Sequence, residues 1–254
     1  MTSKQDREKL REQVATSCRI IGMRGVTRGS FGHVSARVPD TDLVLIKAKG
    51  PEEEALEFAE PKDIITINLA GEVLEAPDGL TAPNETAMHL AVFRARPEVG
   101  SVIHSHPDWV VVLTACDLPL VPMYGGYDPP GMRMAADGIP VYPNSATIVD
   151  DTLGAAFQNV MGAKDACLLR GHGLTTAGRG VEDCTSRTLT IYELARLNYL
   201  AYAIGRPHPI PDQDLAEYER RQRENPRGDR RSRTGESSFW RYNKKLLARQ
   251  LGLG

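Results

Sequence analysis

Short runs of β-branched and aliphatic residues alternate with helical segments along most of this chain. The runs at 43–48, 64–69 and 101–106 have the length and composition of strands. Apolar residues at helical spacing mark helices at 4–25 and 181–205. Interleaved strands and helices predict an α/β fold in which helices cover a central sheet. Several connections between strands are only hairpin-length, which argues against an all-parallel sheet.

Composition limits the classes of protein to which the chain can belong. The 254 residues are enough for a full core, and the net charge of −2 gives no reason to expect nucleic acid or an anionic membrane as partner. No run approaches the ~18 apolar residues of a membrane helix, and the charged N-terminus lacks a signal-peptide stretch. We therefore expect a cytoplasmic protein. Its cysteines form no CxxC pair and are expected to be buried thiols in a reducing cytosol: Cys18, Cys116, Cys167 and Cys184.

The character of the sequence changes near residue 207. We expect a catalytic domain over 1–206 and a C-terminal extension over 207–254. Residues 213–235 are highly charged and predict a solvated helix and a connector. The last segment regains aromatic residues and a helical apolar pattern. It is too small to form a core alone, so we expect it to dock on its own subunit or on a neighbouring one.

Two histidines end one of the predicted strands. In the stretch SVIHSHP, His104 and His106 are two positions apart, so an extended chain places both imidazoles on the same face of the sheet. Two such imidazoles can share one divalent cation. The alternative is a pair of ordinary surface histidines where the strand meets a loop, and a third ligand would decide between the two.

A third imidazole and a carboxylate are available elsewhere in the chain. His172 lies between two glycines in RGHGL, which allows a tight turn and close approach of a metal, or is simply a hairpin histidine with local hydrogen bonds. Asn84 is predicted to cap a helix that runs to about Arg96, which puts Glu85 in its first turn. There Glu85 either complements the helix dipole or acts as a general acid or base near a metal. His89, inside that helix, is expected to be a packed or capping imidazole.

These motifs occur in a characteristic order. A GSFGHVSAR turn, the PNETAMH helix start, RPEVGSVIHSHP and a GHG hairpin before a long helix together resemble the class II aldolase/adducin family, from about residue 8 to residue 205. The resemblance implies a three-layer α/β/α sandwich with a mostly antiparallel sheet. It also implies that His104, His106 and His172 bind one divalent metal ion per subunit, with Glu85 as catalytic acid/base and transient fourth ligand. Three imidazoles suit Zn²⁺ best, and also Mn²⁺, Fe²⁺ or Co²⁺. Members resembling this chain are commonly tetramers with sites near subunit interfaces, so a homotetramer or larger homo-oligomer is expected.

The substrate-binding motifs depart from those of family members that bind sugar phosphates. Those members usually have Gly-Asn-x-Ser in the first turn, Thr-Pro-Ser/Thr-Gly after the next strand and Ser-Ser before the catalytic Glu. This chain has Gly-His-Val-Ser at 32–35, Lys-Ala-Lys-Gly at 47–50 and Pro-Asn at 83–84. The replacements still suit an anion, since lysine is a point charge for a carboxylate and a histidine can donate a hydrogen bond. The resemblance thus assigns substrate binding to Ser30, Gly32, His33, Ser35, Lys49, Gly50 and Asn84, and aromatic surface to Phe31, Tyr124 and Tyr127.

Three hypotheses for the function follow. Family members that decarboxylate hydroxylated aromatic or pyridine dicarboxylates resemble this chain better, through the GHVSxR turn and the C-terminal SFWRY. The first hypothesis is therefore a metal-dependent lyase that decarboxylates a hydroxylated aromatic acid through a metal-stabilised enolate. The second is an aldolase or epimerase acting on a sugar phosphate or hydroxy-aldehyde. The third is a non-catalytic, adducin-like protein, which has no need for three ligands and the acid together.

Overall fold

The computed structural model describes residues 3–51, 55–123, 127–224 and 235–252. One eight-stranded sheet runs through this part of the chain, in the order β4-β3-β2-β1-β5-β8-β7-β6. All neighbouring strands pair antiparallel except β6 and β7, which confirms the prediction of a mostly antiparallel sheet. The strands are β1 His33–Arg37, β2 Leu43–Lys47, β3 Ile64–Asn68, β4 Val73–Glu75, β5 Ser101–Ser105, β6 Val141–Tyr142, β7 Ala166–Leu169 and β8 Gly173–Gly178.

Helices cover both faces of this sheet. One core contains Ile103 of β5 together with residues of the first and sixth helices, and the other contains Val102 of β5 with residues of the second and fifth. Adjacent residues of β5 thus face opposite cores, as the pleat requires. The predicted three-layer α/β/α sandwich is confirmed. The helices are α1 Lys4–Met23, α2 Thr86–Ala95, α3 Asp108–Ala115, α4 Pro129–Ala136, α5 Asp151–Met161, α6 Val181–Ile204, α7 Asp212–Glu224 and α8 Ser238–Gln250. No helix in the described ranges is both long and apolar enough to span a membrane.

The start of α2 differs from the sequence prediction. Glu85, not Asn84, occupies the N-cap position, and its side chain makes no capping hydrogen bond. The carbonyl of Pro83 instead accepts hydrogen bonds from the backbone N–H and the hydroxyl of Thr86. Because the turn satisfies the helix end in this way, the side chain of Asn84 is not needed as a cap. The capping assignment of Asn84 is therefore wrong.

The cysteines follow the prediction at three positions of four. Cys18, Cys167 and Cys184 are buried free thiols, and burial raises the pKa of each to about 12. Cys116 is also a free thiol but is exposed. It follows the last residue of α3, at the surface, so the prediction that it is buried is wrong.

The C-terminal extension docks on its own subunit. α7 is a solvated helix with no buried residue, and residues 225–234 of the predicted connector lie outside the described ranges. α8 is different, because Trp240 and Leu247 belong to the same core cluster as Val14 of α1. Arg24, at the end of α1, donates a hydrogen bond to the buried Asn243 at 3.0 Å. The last helix therefore completes the core on the α1–α6 face of the sheet.

Replacing Trp240 by alanine tests this docking. Trp240 is only 3% exposed, and Trp→Ala changes at buried positions typically cost about 3–5 kcal/mol of unfolding free energy. We expect a loss in that range in urea denaturation. Phe239→Ala, on the same helix but 37% exposed, is the matched control and should change the midpoint much less. Equal midpoints for Trp240→Ala and the wild type would show that α8 is only an appendage.

Candidate metal centre and active site

Three imidazoles and one carboxylate converge where β5 ends and β7 turns into β8. His104 lies in β5, His106 just beyond its end, and His172 in the turn between β7 and β8. Glu85 comes from the residue before α2. One ligand atom from each of these four side chains lies within 4.8 Å of the others. The structure thus brings together all four residues that the resemblance assigns to metal and catalysis.

The distances between these atoms suit a bound cation. The Nε2 atoms of His104 and His106 are 2.8 Å apart, and Oε2 of Glu85 lies 3.2 Å from Nε2 of His104 and 3.6 Å from Nε2 of His172. Ligands bound at about 2.0–2.1 Å in a tetrahedral site are about 3.3–3.4 Å apart, so only small shifts are needed. Lone-pair nitrogens and a carboxylate this close repel one another unless a proton or a cation lies between them. The donor set therefore fits a divalent metal ion.

A threonine that the sequence did not reveal orients His104. Nδ1 of His104 lies 3.0 Å from the hydroxyl of Thr175 on β8, and that hydroxyl donates to the sulfur of Met88 at 2.9 Å. Since the hydroxyl has only one proton, it accepts from the Nδ1–H of His104. Nε2 of His104 is then left as a lone pair aimed at the cluster. A hydrogen bond of this kind commonly fixes the tautomer and orientation of a metal-binding histidine.

The glycines around His172 let the turn reach the other imidazoles. Gly171 has φ of +60°, a conformation that favours glycine, and a Cβ on Gly173 would lie 2.4 Å from the carbonyl oxygen of Ser105. The tight turn that the two glycines predict is therefore present. Nδ1 of His172 is buried and has no hydrogen-bond partner within the described residues. His172 is accordingly held by its backbone turn and not by a side-chain partner of the kind that orients His104.

Glu85 is placed for chemistry and not for helix capping. It is 5% exposed, and its Oε1 accepts a hydrogen bond from the backbone N–H of Ile148 at 3.1 Å, while Oε2 faces the imidazoles. Burial alone would raise the pKa of this carboxyl, but positive charge in the cluster, whether from protons on His104 and His172 or from a bound cation in their place, holds the pKa well below its usual range. Glu85 is therefore a carboxylate at neutral pH.

Two of the imidazoles in this arrangement, His106 and His33, are neutral. Burial and the neighbouring histidines lower the pKa of His106 to about 3. Burial, reinforced by His89 and His104, also lowers the pKa of His33 well below its ordinary value. A neutral imidazole offers a lone pair, which is the form that binds a metal.

A cavity of about 260 Å³ opens beside this cluster. Of the predicted substrate-binding residues, five line it: Ser30, Gly32, His33, Lys49 and Asn84. The side-chain ammonium of Lys49 donates a hydrogen bond to the side-chain oxygen of Asn84. The cavity therefore combines a positive charge with polar groups, which suits an anion.

Ser35 and Gly50 lie outside this cavity. The hydroxyl of Ser35 is wholly buried, 2.6 Å from Nδ1 of His89. Gly50 lines a separate hollow, where a Cβ would lie 2.7 Å from a methyl carbon of Leu80. His89 is itself wholly buried, in keeping with the packed imidazole expected from sequence, but it also contacts His33. Ser35 thus contacts His89 and lies behind the residues that line the cavity.

Among the described residues, aromatic surface is present on one side of the site. Phe31 stacks on His106, with ring centroids 5.3 Å apart and planes inclined by 11°. It is 60% exposed and lines a second cavity of about 610 Å³ next to the first. Tyr127 lines neither cavity and is largely exposed, and Tyr124 lies outside the described residues. Within the described part of the chain, Phe31 is therefore the aromatic ring that could face a flat ligand.

Comparisons with known proteins agree with this geometry. The profile described as the Class II Aldolase and Adducin N-terminal domain matches residues 12–199. A 3,4-dihydroxyphthalate decarboxylase from Arthrobacter keyseri is 37% identical over 82% of this chain and 85% of its own length. A protein of the same name from a Terrabacter species is 38% identical over 81% of this chain and 87% of its own.

More distant similarities extend to aldolases. A 5-deoxy-D-ribulose 1-phosphate aldolase from Bacillus thuringiensis serovar kurstaki is 26% identical over 82% of this chain and 92% of its own length. Among solved structures, an aldolase II superfamily protein from Pseudomonas syringae superposes with a TM-score of 0.79, covering 98% of this chain and 94% of that one at 20% identity. That structure shares the fold.

Replacing Thr175 by valine tests the support given to His104. Valine keeps the shape of threonine but leaves the Nδ1–H of His104 without a buried partner. Loss of such a contact typically weakens metal affinity by about 10- to 100-fold, and we expect that loss in a chelator-competition titration. Thr176→Val is the matched control, since Thr176 is equally buried but its hydroxyl bonds Thr188 of α6. Unchanged affinity in Thr175→Val would exclude this role.

Proposed function

The chain belongs to the class II aldolase and adducin family, and we propose that it removes a carboxylate from a hydroxylated aromatic dicarboxylate such as 3,4-dihydroxyphthalate. Its decarboxylase and aldolase homologues indicate a metal-dependent carbon–carbon lyase. The proposal of an aromatic dicarboxylate as substrate rests on the residues that line the cavity. Lys49 and His33 stand where the sugar-phosphate pattern predicts hydroxyl and amide groups, beside a carboxylate and three imidazoles.

His104, His106 and His172 would hold the metal ion, with Zn²⁺ as our first choice and Mn²⁺, Fe²⁺ or Co²⁺ as alternatives. When bound, the ion supplies a Lewis acid that stabilises negative charge on a substrate oxygen. The hydroxyl and the neighbouring carboxylate of the substrate would be presented to this cluster, with the ring against the exposed face of Phe31. Lys49 provides the positive charge for the second carboxylate.

Glu85 would carry one proton through the reaction. As a carboxylate it first accepts the proton of the substrate hydroxyl, and it then delivers this proton to the ring carbon that bears the departing carboxylate. Loss of CO₂ returns the electrons of the broken carbon–carbon bond to the ring and restores its aromaticity. A proton from water then neutralises the product oxygen. The hydrogen bond from the N–H of Ile148 keeps one oxygen of Glu85 fixed while the other faces the reacting atoms.

From the family resemblance we also propose a homotetramer or larger assembly with sites near the subunit interfaces. From the change of sequence character near residue 207 we propose a catalytic domain over 1–206 with an extension over 207–254, and from the composition a cytoplasmic location. The free cysteines are in keeping with a reducing compartment. The extension contributes α8 to the core of the catalytic domain, so the two would not unfold independently.

Glu85→Gln should separate metal binding from turnover. The amide cannot exchange a proton in this way, and general acid–base groups typically contribute about 10²–10⁴-fold to the rate. We expect a loss of that size with the metal content retained, measured by elemental analysis and CO₂ release. A variant that turns over at the wild-type rate would refute the acid/base role.

A substrate comparison separates the decarboxylase from the aldolase alternative, which the aldolase relatives favour. We expect the metal-loaded protein to release CO₂ from 3,4-dihydroxyphthalate and to cleave ketose 1-phosphates slowly or not at all. Addition of a chelator should abolish the CO₂ release. Release of dihydroxyacetone phosphate from 5-deoxyribulose 1-phosphate at ordinary enzymatic rates, without CO₂ from any hydroxyphthalate, would favour the aldolase.

A further inference from the structure

The proposed function leaves one buried chain of hydrogen bonds without a role, and it leads from the sheet into the active-site cavity. We propose that this chain fixes His33 as a hydrogen-bond acceptor that recognises a hydroxyl group of the aromatic substrate. The inference rests on the proposed function and adds to it the residue that selects a second ring hydroxyl. His89 and Ser35 would be positioning residues that act through His33.

The chain of hydrogen bonds begins at the backbone carbonyl of Val102 and ends at the cavity. The hydroxyl of Ser35 donates to the carbonyl oxygen of Val102 at 3.2 Å. The same hydroxyl lies 2.6 Å from Nδ1 of His89, and Nε2 of His89 lies 2.7 Å from Nδ1 of His33. Ser35 and His89 are wholly buried, and His33 is 8% exposed. Exchange of these protons with water is therefore restricted to the cavity end.

The direction of the chain follows from its first member. A carbonyl oxygen can only accept, and the Ser35 hydroxyl has one proton, so Ser35 accepts from the Nδ1–H of His89. Nε2 of His89 then has no proton and accepts from the Nδ1–H of His33. Each ring nitrogen along the chain is thereby assigned, and Nε2 of His33 is left with a lone pair.

This lone pair faces the active site. His33 lines the cavity beside the metal cluster, and its Nε2 lies 4.0 Å from Oε2 of Glu85, too far for a hydrogen bond between them. The sequence-based expectation that His33 donates to an anion is therefore replaced by the opposite polarity, in which His33 accepts from a hydroxyl and disfavours a carboxylate.

The acceptor on His33 and the positive charge of Lys49 assign the groups of the substrate to different parts of the cavity. One hydroxyl and the departing carboxylate occupy the cluster, and the remaining carboxylate is matched by the charge of Lys49. The second hydroxyl is then the only neutral hydrogen-bond donor left on the substrate, and Nε2 of His33 is the neutral acceptor that can receive it. A ring that lacks this hydroxyl would leave Nε2 of His33 buried and unsatisfied, which lowers affinity.

Binding measurements on two ligands test the assignment directly. With the metal-loaded protein in a calorimeter, we expect 3,4-dihydroxyphthalate to bind about 10- to 100-fold more tightly than 3-hydroxyphthalate, which lacks the second hydroxyl. His33→Asn should remove this difference, because its amide can still donate to His89 but has no acceptor at the Nε2 position. His89→Leu should reduce the difference through loss of the fixed tautomer. Thr147→Ala, which changes the cavity lining away from this chain of hydrogen bonds, is the control and should preserve the difference.

Nitrogen NMR tests the tautomer without any substrate. In Zn²⁺-loaded protein labelled with ¹⁵N-histidine, the signal lost in His33→Asn should show a protonated Nδ1 and an unprotonated Nε2. A proton on Nε2 would overturn the inference even if the protein is a decarboxylase. Full discrimination between the two phthalates in His33→Asn would overturn it as well. If no hydroxyphthalate releases CO₂ but the tautomer and the binding difference are as stated, the proposed function fails and the acceptor role of His33 stands.

Discussion

The register of three neighbouring strands determines the geometry of the whole site. β5 pairs with β1 on one side and with β8 on the other, so that His33, His104 and Thr175 lie side by side across the sheet. Cross-strand neighbours of this kind point to the same face. A slip of one residue in either pairing would turn its side chains to the opposite face, towards the α1–α6 core. Burial of apolar residues on both faces of β5 opposes such a slip, so the packing that stabilises the fold also positions the imidazoles.

The chemistry follows from placing one carboxylate beside three imidazoles. Burial and mutual proximity keep His106 neutral, and positive charge at His104 and His172, from protons or from a bound cation, keeps Glu85 ionised. A cation bound there would meet three lone pairs, and the carboxylate beside them can accept and return a proton. The backbone N–H of Ile148 holds Glu85 in this position, which helix capping would not allow.

The sequence was most informative where function depends on local spacing. The spacing of His104 and His106 at the end of β5 and the two glycines around His172 predicted the local geometry correctly, because strand pleating and glycine conformations are local properties. The partners of these residues are distant in sequence and left no local signal. Thr175, the N–H of Ile148 and the contact between His33 and His89 all depend on strand pairing and on the entry of α2. The errors at Asn84 and Cys116 have other origins. The carbonyl of Pro83 satisfies the helix start locally, and Cys116 lies at the surface just beyond α3.

The central claim is that His104, His106 and His172 hold one divalent ion. X-ray absorption spectroscopy at the zinc edge of the metal-loaded protein measures this most directly. The account predicts three imidazole nitrogens at about 2.0–2.1 Å, together with oxygen ligands. The signal of one imidazole should disappear in each of His104→Ala, His106→Ala and His172→Ala. A spectrum with oxygen ligands alone, or one that these substitutions leave unchanged, would contradict the account.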